Sequence, residues 1–164
     1  MTDYRVRPIR EGDIESIIAI DALCTGTGGP GRAGFWRGLL SIHAATEEDR
    51  GPESPQPPCL CEVAEHAGDG RVAGFIIGDV QSWQFGIPRH GSIVAIGVHP
   101  DHRRRGVATL LAGGLRKTFE KMGLPFALCL VSPGDPLADF FRSVGFNPSR
   151  SEILEMTIAG ESPA

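Results

Sequence analysis

The sequence predicts a mixed α/β fold, and three observations carry this prediction. Ile93 to Val98 is a short apolar run rich in β-branched residues, which is typical of a buried strand. From Val107 to Met122, apolar side chains recur at helical spacing. Strand-like and helix-like segments alternate over the rest of the 164 residues, a length that fits one domain. We therefore expect a twisted mixed sheet with helices on its faces.

The N-terminal part opens with a predicted strand and helix. Tyr4 to Ile9 alternates in polarity, as a strand does. Asp13 is placed to cap the helix that follows. The apolar side of this helix has four members: Ile14, Ile17, Ile18 and Ala22.

A glycine-rich stretch, Gly26 to Gly31, contains the pattern G-x-G-x-x-G. It follows a helix and includes Pro30, whereas a dinucleotide-binding turn follows a strand and opens a helix. We therefore predict a connection that leads to a short helix over Phe35 to Ile42. Thr46 to Pro58 is polar and rich in proline, which predicts an exposed loop.

The middle of the chain predicts a β-hairpin. Cys59 to Glu65 and Arg71 to Val80 read as strands joined by a turn at Gly68 to Gly70. The segment Ser82 to Pro88 then carries two aromatic side chains between a glycine and a proline. It is either a wall of a binding pocket or a plug over the sheet edge.

After the long helix, Pro125 to Val131 predicts another buried strand. Asp135 and Pro136 then begin a helix as cap and first residue, and Gly145 ends it. Phe146 and the run Ile153 to Ile158 are expected to supply a closing strand or hairpin. We take residues 1–159 as one domain and 160–164 as a disordered tail.

Composition excludes several classes of protein. The formal net charge of −4 argues against broad attraction to nucleic acid or anionic membranes. No apolar stretch approaches the roughly 20 residues of a membrane span, and the N-terminus lacks a secretory core, so a cytoplasmic protein is expected. The four cysteines do not form a zinc ligand set. We predict buried reduced thiols and no metal.

The most informative segment is the basic turn between the strand that ends at Val98 and the helix that begins at Val107. The first amides of a helix lack internal acceptors, and the helix dipole adds partial positive charge there. Gly106 lets a ligand approach the backbone closely. Three arginines precede it. The turn therefore predicts a phosphate site, although a solvated charge run is the alternative interpretation.

At these residues the chain resembles the GCN5-related N-acetyltransferase (GNAT) family. The family signature is Arg or Gln, two residues, Gly, one residue, then Gly or Ala, and Arg103, Gly106 and Ala108 match it. The resemblance implies that the turn binds the pyrophosphate of acetyl-coenzyme A and that the preceding strand contacts the pantetheine arm. It also implies that this strand and the strand at 125–131 splay apart around the coenzyme. The residues assigned to the coenzyme are Ile96, Gly97, Val98, Arg103, Arg104, Arg105, Gly106, Val107, Ala108, Thr109 and Phe141.

The sequence departs from the family pattern at the residue that transfers a proton. Many relatives carry a tyrosine in the helix before the Gly-Phe pair, where it protonates the leaving sulfur, and this chain has Phe141 at that position. Water, Ser132 or Asp135 would have to replace it, or the enzyme would act by proximity alone. The catalytic residues thus stay unknown. The candidates are Glu62, His90, Ser92, His99 and Asp135.

The predicted function is transfer of an acetyl group from acetyl-coenzyme A to a primary amine by direct transfer in a ternary complex. The acceptor is a small amine or a protein lysine, and Trp36, Trp83 and Phe85 are expected to contact it. The alternative is a non-catalytic acyl-coenzyme A sensor that gates a protein interaction. Assembly is open, with a homodimer as one arrangement, and no nucleic acid or membrane partner is expected.

Overall fold

A computed structural model describes residues 3–26, 33–39, 60–82 and 85–156 of the chain. The chain divides into two compact units, residues 1–130 and 131–164. The first unit holds a five-stranded sheet whose strands lie side by side in chain order. They are β1 (Tyr4–Pro8), β2 (Leu60–His66), β3 (Val72–Gln81), β4 (His90–Val98) and β5 (Ala127–Cys129). β1 to β4 are antiparallel and β5 is parallel to β4, which confirms the predicted mixed sheet.

Among the described residues, three α-helices lie in the first unit and one lies in the second. They are α1 (Ile14–Thr25), α2 (residues 33–39), α3 (Val107–Lys121) and, in the second unit, α4 (Pro136–Ser143). The helix expected over 35–42 is thus confirmed as far as the structure describes it. The loop expected over 46–58 lies outside the described residues.

The two faces of the sheet carry different helices. On one face, a Cβ added to Gly78 would lie 2.9 Å from Leu115 and 3.0 Å from Phe119, so α3 packs directly on the backbone of β3. The other face is covered by α1 and α2, where a buried cluster forms the core. Its members are Ile17, Ile20, Trp36, Cys61, Val63, Phe75 and Ile77. Side chains of β3 alternate between these two layers.

Asp13 does not cap α1 with its side chain, contrary to the prediction from sequence. Its carboxylate accepts two hydrogen bonds from the Arg7 guanidinium, at 2.6 and 3.0 Å, and one from the Arg10 amide at 2.7 Å. The reason is tertiary, because β1 places a cation beside the carboxylate. Burial acts to raise the pKa of Asp13, but the bonds from Arg7 and Arg10 outweigh it and lower the pKa.

The second unit confirms one prediction and corrects another. Asp135 caps α4 as expected, because its Oδ1 accepts from the Leu137 amide at 2.8 Å and Pro136 is the first helical residue. The closing strand predicted over Ile153–Ile158 is wrong as far as Met156, where the described residues have no strand. Ile153 and Met156 are exposed at 69% and 82%, unlike the half-buried apolar residues expected of a strand.

The cysteines agree only in part with the prediction of buried reduced thiols. Cys61 is buried, but Cys24 is an exposed thiol and Cys129 is half-buried. Cys59 lies outside the described residues. In the described ranges, no helix is long and apolar enough to cross a membrane.

Candidate functional site

The site begins where β4 separates from β5. The two strands pair at only three positions: Gly91 with Ala127, Ser92 with Leu128, and Ile93 with Cys129. β4 continues to Val98, whereas β5 ends at Cys129. Val94 and Leu130 follow the last paired residues, and their exposed fractions are 55% and 77%. The edge of β4 from Val94 onward is therefore available to a ligand's hydrogen bonds.

A β-bulge coincides with this separation. Ile77 pairs with Ala95 and Gly78 with Ile93, so Val94 is the extra residue on β4. A bulge bends its strand and increases the local twist. The bend at Val94 explains why β4 and β5 separate after Ile93. It is the physical cause of the predicted splayed strands.

The turn after β4 has the backbone of an anion site. Gly106 adopts the left-handed conformation with φ +79°, and Arg104 does so with φ +60°. The first helical hydrogen bond of α3 runs from the Leu110 amide to the Gly106 carbonyl at 2.9 Å, so the amides of residues 107–109 precede it. A Cβ at Gly106 would meet nothing within 4 Å, which shows open space beside the turn. These residues fit a pyrophosphate group.

The three arginines of the turn differ in what they do. The Arg103 Nε donates to the Val98 carbonyl at 3.1 Å, and its Nη2 lies 3.4 Å from the Cys24 sulfur. Arg103 therefore braces the turn against the end of α1. Arg104 and Arg105 are exposed and form no ion pair with another described residue, so their charges are available to an anion.

Beneath the turn lies a cluster of four rings: Tyr4, His66, His99 and His102. The Tyr4 hydroxyl and His102 Nδ1 are 3.0 Å apart, and the His102 ring lies 5.5 Å from His66 and 5.8 Å from His99. Burial lowers the pKa of His102, and the neighbouring charges of His66, His99 and Arg105 lower it further. No metal-ligand group of three was found in the described ranges. The cluster ties the turn to β1 and β2.

The residues assigned to pantetheine lie on the free part of β4. Ile96 pairs with Ile76 of β3, which leaves its other main-chain edge facing away from β3. Gly97 is buried, and a Cβ there would lie 2.6 Å from the Phe75 ring, so only glycine fits. Val98 follows, and its carbonyl is already held by Arg103. The structure thus brings the predicted pantetheine and pyrophosphate residues together along one strand and the turn that follows it.

The catalytic candidates are dispersed. His90 begins β4, is 1% exposed, and stacks on Phe126 with its Nδ1 2.8 Å from the Pro88 carbonyl. His99 caps the short helical turn after β4 by accepting from the Asp101 amide at 3.3 Å. Ser92 lies next to the point where β4 and β5 part. Asp135 belongs to the second unit, where it caps α4.

Trp36, predicted to contact the acceptor, lies in the core instead. It is 3% exposed, and its Nε1 donates to Asp21 Oδ2 at 2.6 Å. Phe85 is fully exposed, and Trp83 lies outside the described residues. Phe141 is buried in the second unit, 5.3 Å from the Phe140 ring and 5.2 Å from the Phe146 ring.

Glu62 faces α3 rather than the splayed strands. Its Oε1 accepts from the Thr118 hydroxyl at 2.7 Å, while Oε2 is buried with no hydrogen-bond partner among the described residues. Burial raises the pKa of Glu62, and Thr118 and Lys121 offset this in part. The sheet–helix interface therefore favours the protonated acid.

The raised pKa predicts a pH-dependent stability. Because the folded state holds the Glu62 proton more tightly than the unfolded state, its stabilising effect is lost as pH rises through the folded pKa. We expect Glu62→Gln to be more stable than the wild type by about 1 kcal/mol at pH 8 and little different at pH 4.5. Urea unfolding at both pH values measures this. Glu120→Gln, on the exposed side of α3, is the matched control, and an equal pH-dependent gain there would contradict the assignment.

One candidate residue was missed from the sequence. Asp79 is a charged residue inside the apolar run of β3, and it pairs with Ser92 beside the bulge. The signal that could have identified it is a carboxylate within an otherwise apolar strand. That Asp79 pairs with Ser92 could not be predicted from the sequence, because the register between β3 and β4 depends on the bulge.

Comparisons with known proteins match the chain to acetyltransferases. A family model described as "Acetyltransferase (GNAT) family" matches residues 34–146. A mycothiol acetyltransferase of Frankia casuarinae is 39% identical over 116 residues, which are 63% of this chain, and the match spans only 33% of that protein. An acetyltransferase of Sodalis glossinidius is 27% identical, and the match covers 91% of both chains.

Solved structures show the same fold. The aminoglycoside N-acetyltransferase AAC(6')-Iy in complex with CoA superposes with a TM-score of 0.73 at 14% identity, covering 95% of each chain. The ribosomal-protein-alanine N-acetyltransferase from Brucella melitensis gives a TM-score of 0.69 at 16% identity, covering 95% of this chain and 99% of the other. At these identities the likeness is one of fold, and it confirms the predicted fold class.

Proposed function

The chain belongs to the acetyltransferase (GNAT) family, and from this we propose that it transfers an acetyl group from acetyl-coenzyme A directly to a primary amine. The predicted class, an acyltransferase that uses acetyl-coenzyme A, is the class of this family. The observation that carries the proposal is the continuous path from the free edge of β4 to the turn at 104–109.

The turn supplies the anchor for the coenzyme. The amides of residues 104–109 and the charges of Arg104 and Arg105 would hold the pyrophosphate. Arg103 would act indirectly, because its side chain keeps the turn against β4. The free edge of β4 around Ile96 would align the pantetheine arm with main-chain hydrogen bonds.

Bound there, acetyl-coenzyme A supplies a thioester carbonyl. The acceptor nitrogen attacks this carbonyl carbon, the carbon–sulfur bond breaks, the thiolate leaves, and the nitrogen loses its extra proton to water. The chain would contribute by orienting both reactants, and amides of β4 near the bulge at Val94 would polarise the carbonyl.

Direct transfer is favoured over a covalent acyl-enzyme by the described cysteines. Cys61 is buried in the core, and burial raises the pKa of the Cys129 thiol, which disfavours its thiolate. Cys24 contacts Arg103 and the Val98 carbonyl and has no base beside it among the described residues. We therefore favour direct transfer within a ternary complex of protein, acetyl-coenzyme A and amine.

Phe141 favours a second candidate, a sensor that binds acyl-coenzyme A without turnover. The ring is buried against Phe140 and Phe146 and has no proton to donate to a leaving thiolate. If the protein is instead an acetyltransferase, the leaving thiolate takes its proton from solvent, and the reaction is slower by about 10²–10⁴-fold than with a general acid.

Two measurements on the same protein separate these functions. Calorimetric titration with coenzyme A and acetyl-coenzyme A should show saturable binding at one site. Release of coenzyme A thiol is then followed with small aliphatic and aryl amines, polyamines, aminoglycosides, and lysine- or alanine-terminated peptides. Amine-dependent release supports the acetyltransferase, binding without release supports the sensor, and absence of binding overturns both.

A further inference from the structure

Asp79 lies on the sheet face opposite α3. Its neighbour Gly78 touches α3 through Leu115 and Phe119, whereas Phe75 and Ile77 belong to the core cluster under α1. Because strand side chains alternate, Asp79 continues the α1 face beyond Ile77. It is half-buried, although it follows an apolar run.

The register places Asp79 beside the point where β4 and β5 part. Asp79 pairs with Ser92, and the next residue of β4, Ile93, is the last one paired with β5. Directly opposed residues in an antiparallel pair have Cβ atoms about 4.5–5.5 Å apart, so the Asp79 carboxylate and the Ser92 hydroxyl share one patch of the sheet. This patch adjoins the bulge at Val94.

The Asp79 carboxylate accepts two hydrogen bonds and is paired with no cationic side chain in the described part of the chain. Its Oδ1 accepts from the Val80 amide at 2.7 Å, and its Oδ2 accepts from the Gln81 side-chain amide at 3.0 Å. Among the residues that the structure describes, no arginine, lysine or histidine forms an ion pair with it. Each oxygen can accept a further hydrogen bond, so the carboxylate is held in place with capacity to spare.

We propose that Asp79, with Ser92 beside it, binds a positively charged group of the acceptor and selects amines that carry a second cation. This inference rests on the proposed function. A coenzyme anchored by its pyrophosphate at residues 104–109 runs back along β4, which brings its thioester end toward the bulge. Asp79 lies on the adjacent strand at that level, where an acceptor would approach.

The second cation is the group that a carboxylate can hold throughout the reaction. The reacting nitrogen must be neutral to attack the thioester, and a carboxylate bound to it would keep it protonated. A separate ammonium group can stay paired with Asp79 while the neutral amine reacts. Half-burial strengthens this pairing relative to an ion pair at the exposed surface.

A pair of acceptors that differ in one group tests this selectivity. 1,4-Diaminobutane carries a second ammonium where 4-amino-1-butanol carries a hydroxyl. We expect the wild type to prefer the diamine in kcat/KM, and Asp79→Asn to reduce that preference roughly tenfold. Asn preserves the shape and can still accept from the Val80 amide, and Asp79→Glu should restore part of the preference.

Asp139→Asn is the matched control, because it removes one carboxylate from an exposed pair with Arg142 on α4. It should leave the preference unchanged. Coenzyme A affinity and unfolding midpoint, measured for every variant, identify any loss of fold. If Asp79→Asn changes both acceptors equally, or changes the preference no more than Asp139→Asn, the inference is overturned while the proposed function stands.

Absence of turnover with every amine would count against the proposed function alone. Calorimetric binding of 1,4-diaminobutane to the wild type saturated with coenzyme A then provides the second readout. Weaker binding to Asp79→Asn, with unchanged binding to Asp139→Asn, supports the cation site. Equal binding to all three proteins, or no binding to the wild type, overturns it.

Discussion

Replacing Gly106 by Asp is expected to weaken coenzyme A binding by about 100- to 1,000-fold. A carboxylate there would face the pyrophosphate, and two like charges about 4 Å apart repel by about 4 kcal/mol near a protein surface. The substitution also places a Cβ in a left-handed conformation with φ +79°. Calorimetric titration with coenzyme A measures the loss.

Gly123→Asp separates charge from backbone strain. Gly123 has φ +68°, a Cβ there would meet nothing within 4 Å, and it follows the opposite end of α3. Both variants should lose similar stability, but only Gly106→Asp should lose coenzyme binding. Equal loss of binding in the two variants, or Gly106→Asp within tenfold of the wild type, would contradict the anion site.

The second large effect is on stability. We expect Arg7→Met to lower the free energy of unfolding by about 3 kcal/mol at pH 7, because it leaves the buried Asp13 carboxylate without its cation. The Arg7 and Asp13 side chains are each only 9% exposed, and Arg7 also donates to Glu65. Urea unfolding at pH 7 measures the change.

The difference between wild type and Arg7→Met should shrink in acid. The hydrogen bonds from Arg7 lower the pKa of Asp13 despite its burial, so the stability they provide is present above the unfolded pKa and is lost as pH falls. Arg5→Met is the control: Arg5 is 66% exposed and pairs with Glu65 at 3.3 Å. It should cost less than about 1 kcal/mol. An equal cost for both variants would show that the buried pair of Arg7 and Asp13 stabilises the fold no more than an exposed ion pair does.

Local signals predicted the strand, the turn and the helix around residues 93–122 well. The apolar run of β4, the glycine of the turn and the periodicity of α3 lie within 30 residues of one another. Each depends on backbone preferences that the residues themselves carry, such as the left-handed conformation of Gly106. The same holds for the Asp135 cap of α4. Family signatures are readable for this reason, because they record a local conformation.

Side-chain neighbours were predicted less well. Trp36 was expected to contact the acceptor, yet Asp21 accepts its indole hydrogen bond inside the core. Asp13 was expected to cap a helix, yet its carboxylate accepts hydrogen bonds from Arg7. In both cases the partner lies on another element, and a linear pattern does not show which element arrives beside it.

The order of β1 to β5 and of the helices, the conformation of the turn between β4 and α3, and the family could all be read from the residues, because these follow from local conformation and short-range periodicity. The tertiary structure alone decided that Val94 bulges, that β4 leaves β5 after Ile93, and that Asp79 lies opposite Ser92. Those features depend on the register between separate strands. Register is fixed by how whole faces pack against α1 and α3, so it is a property of the folded sheet.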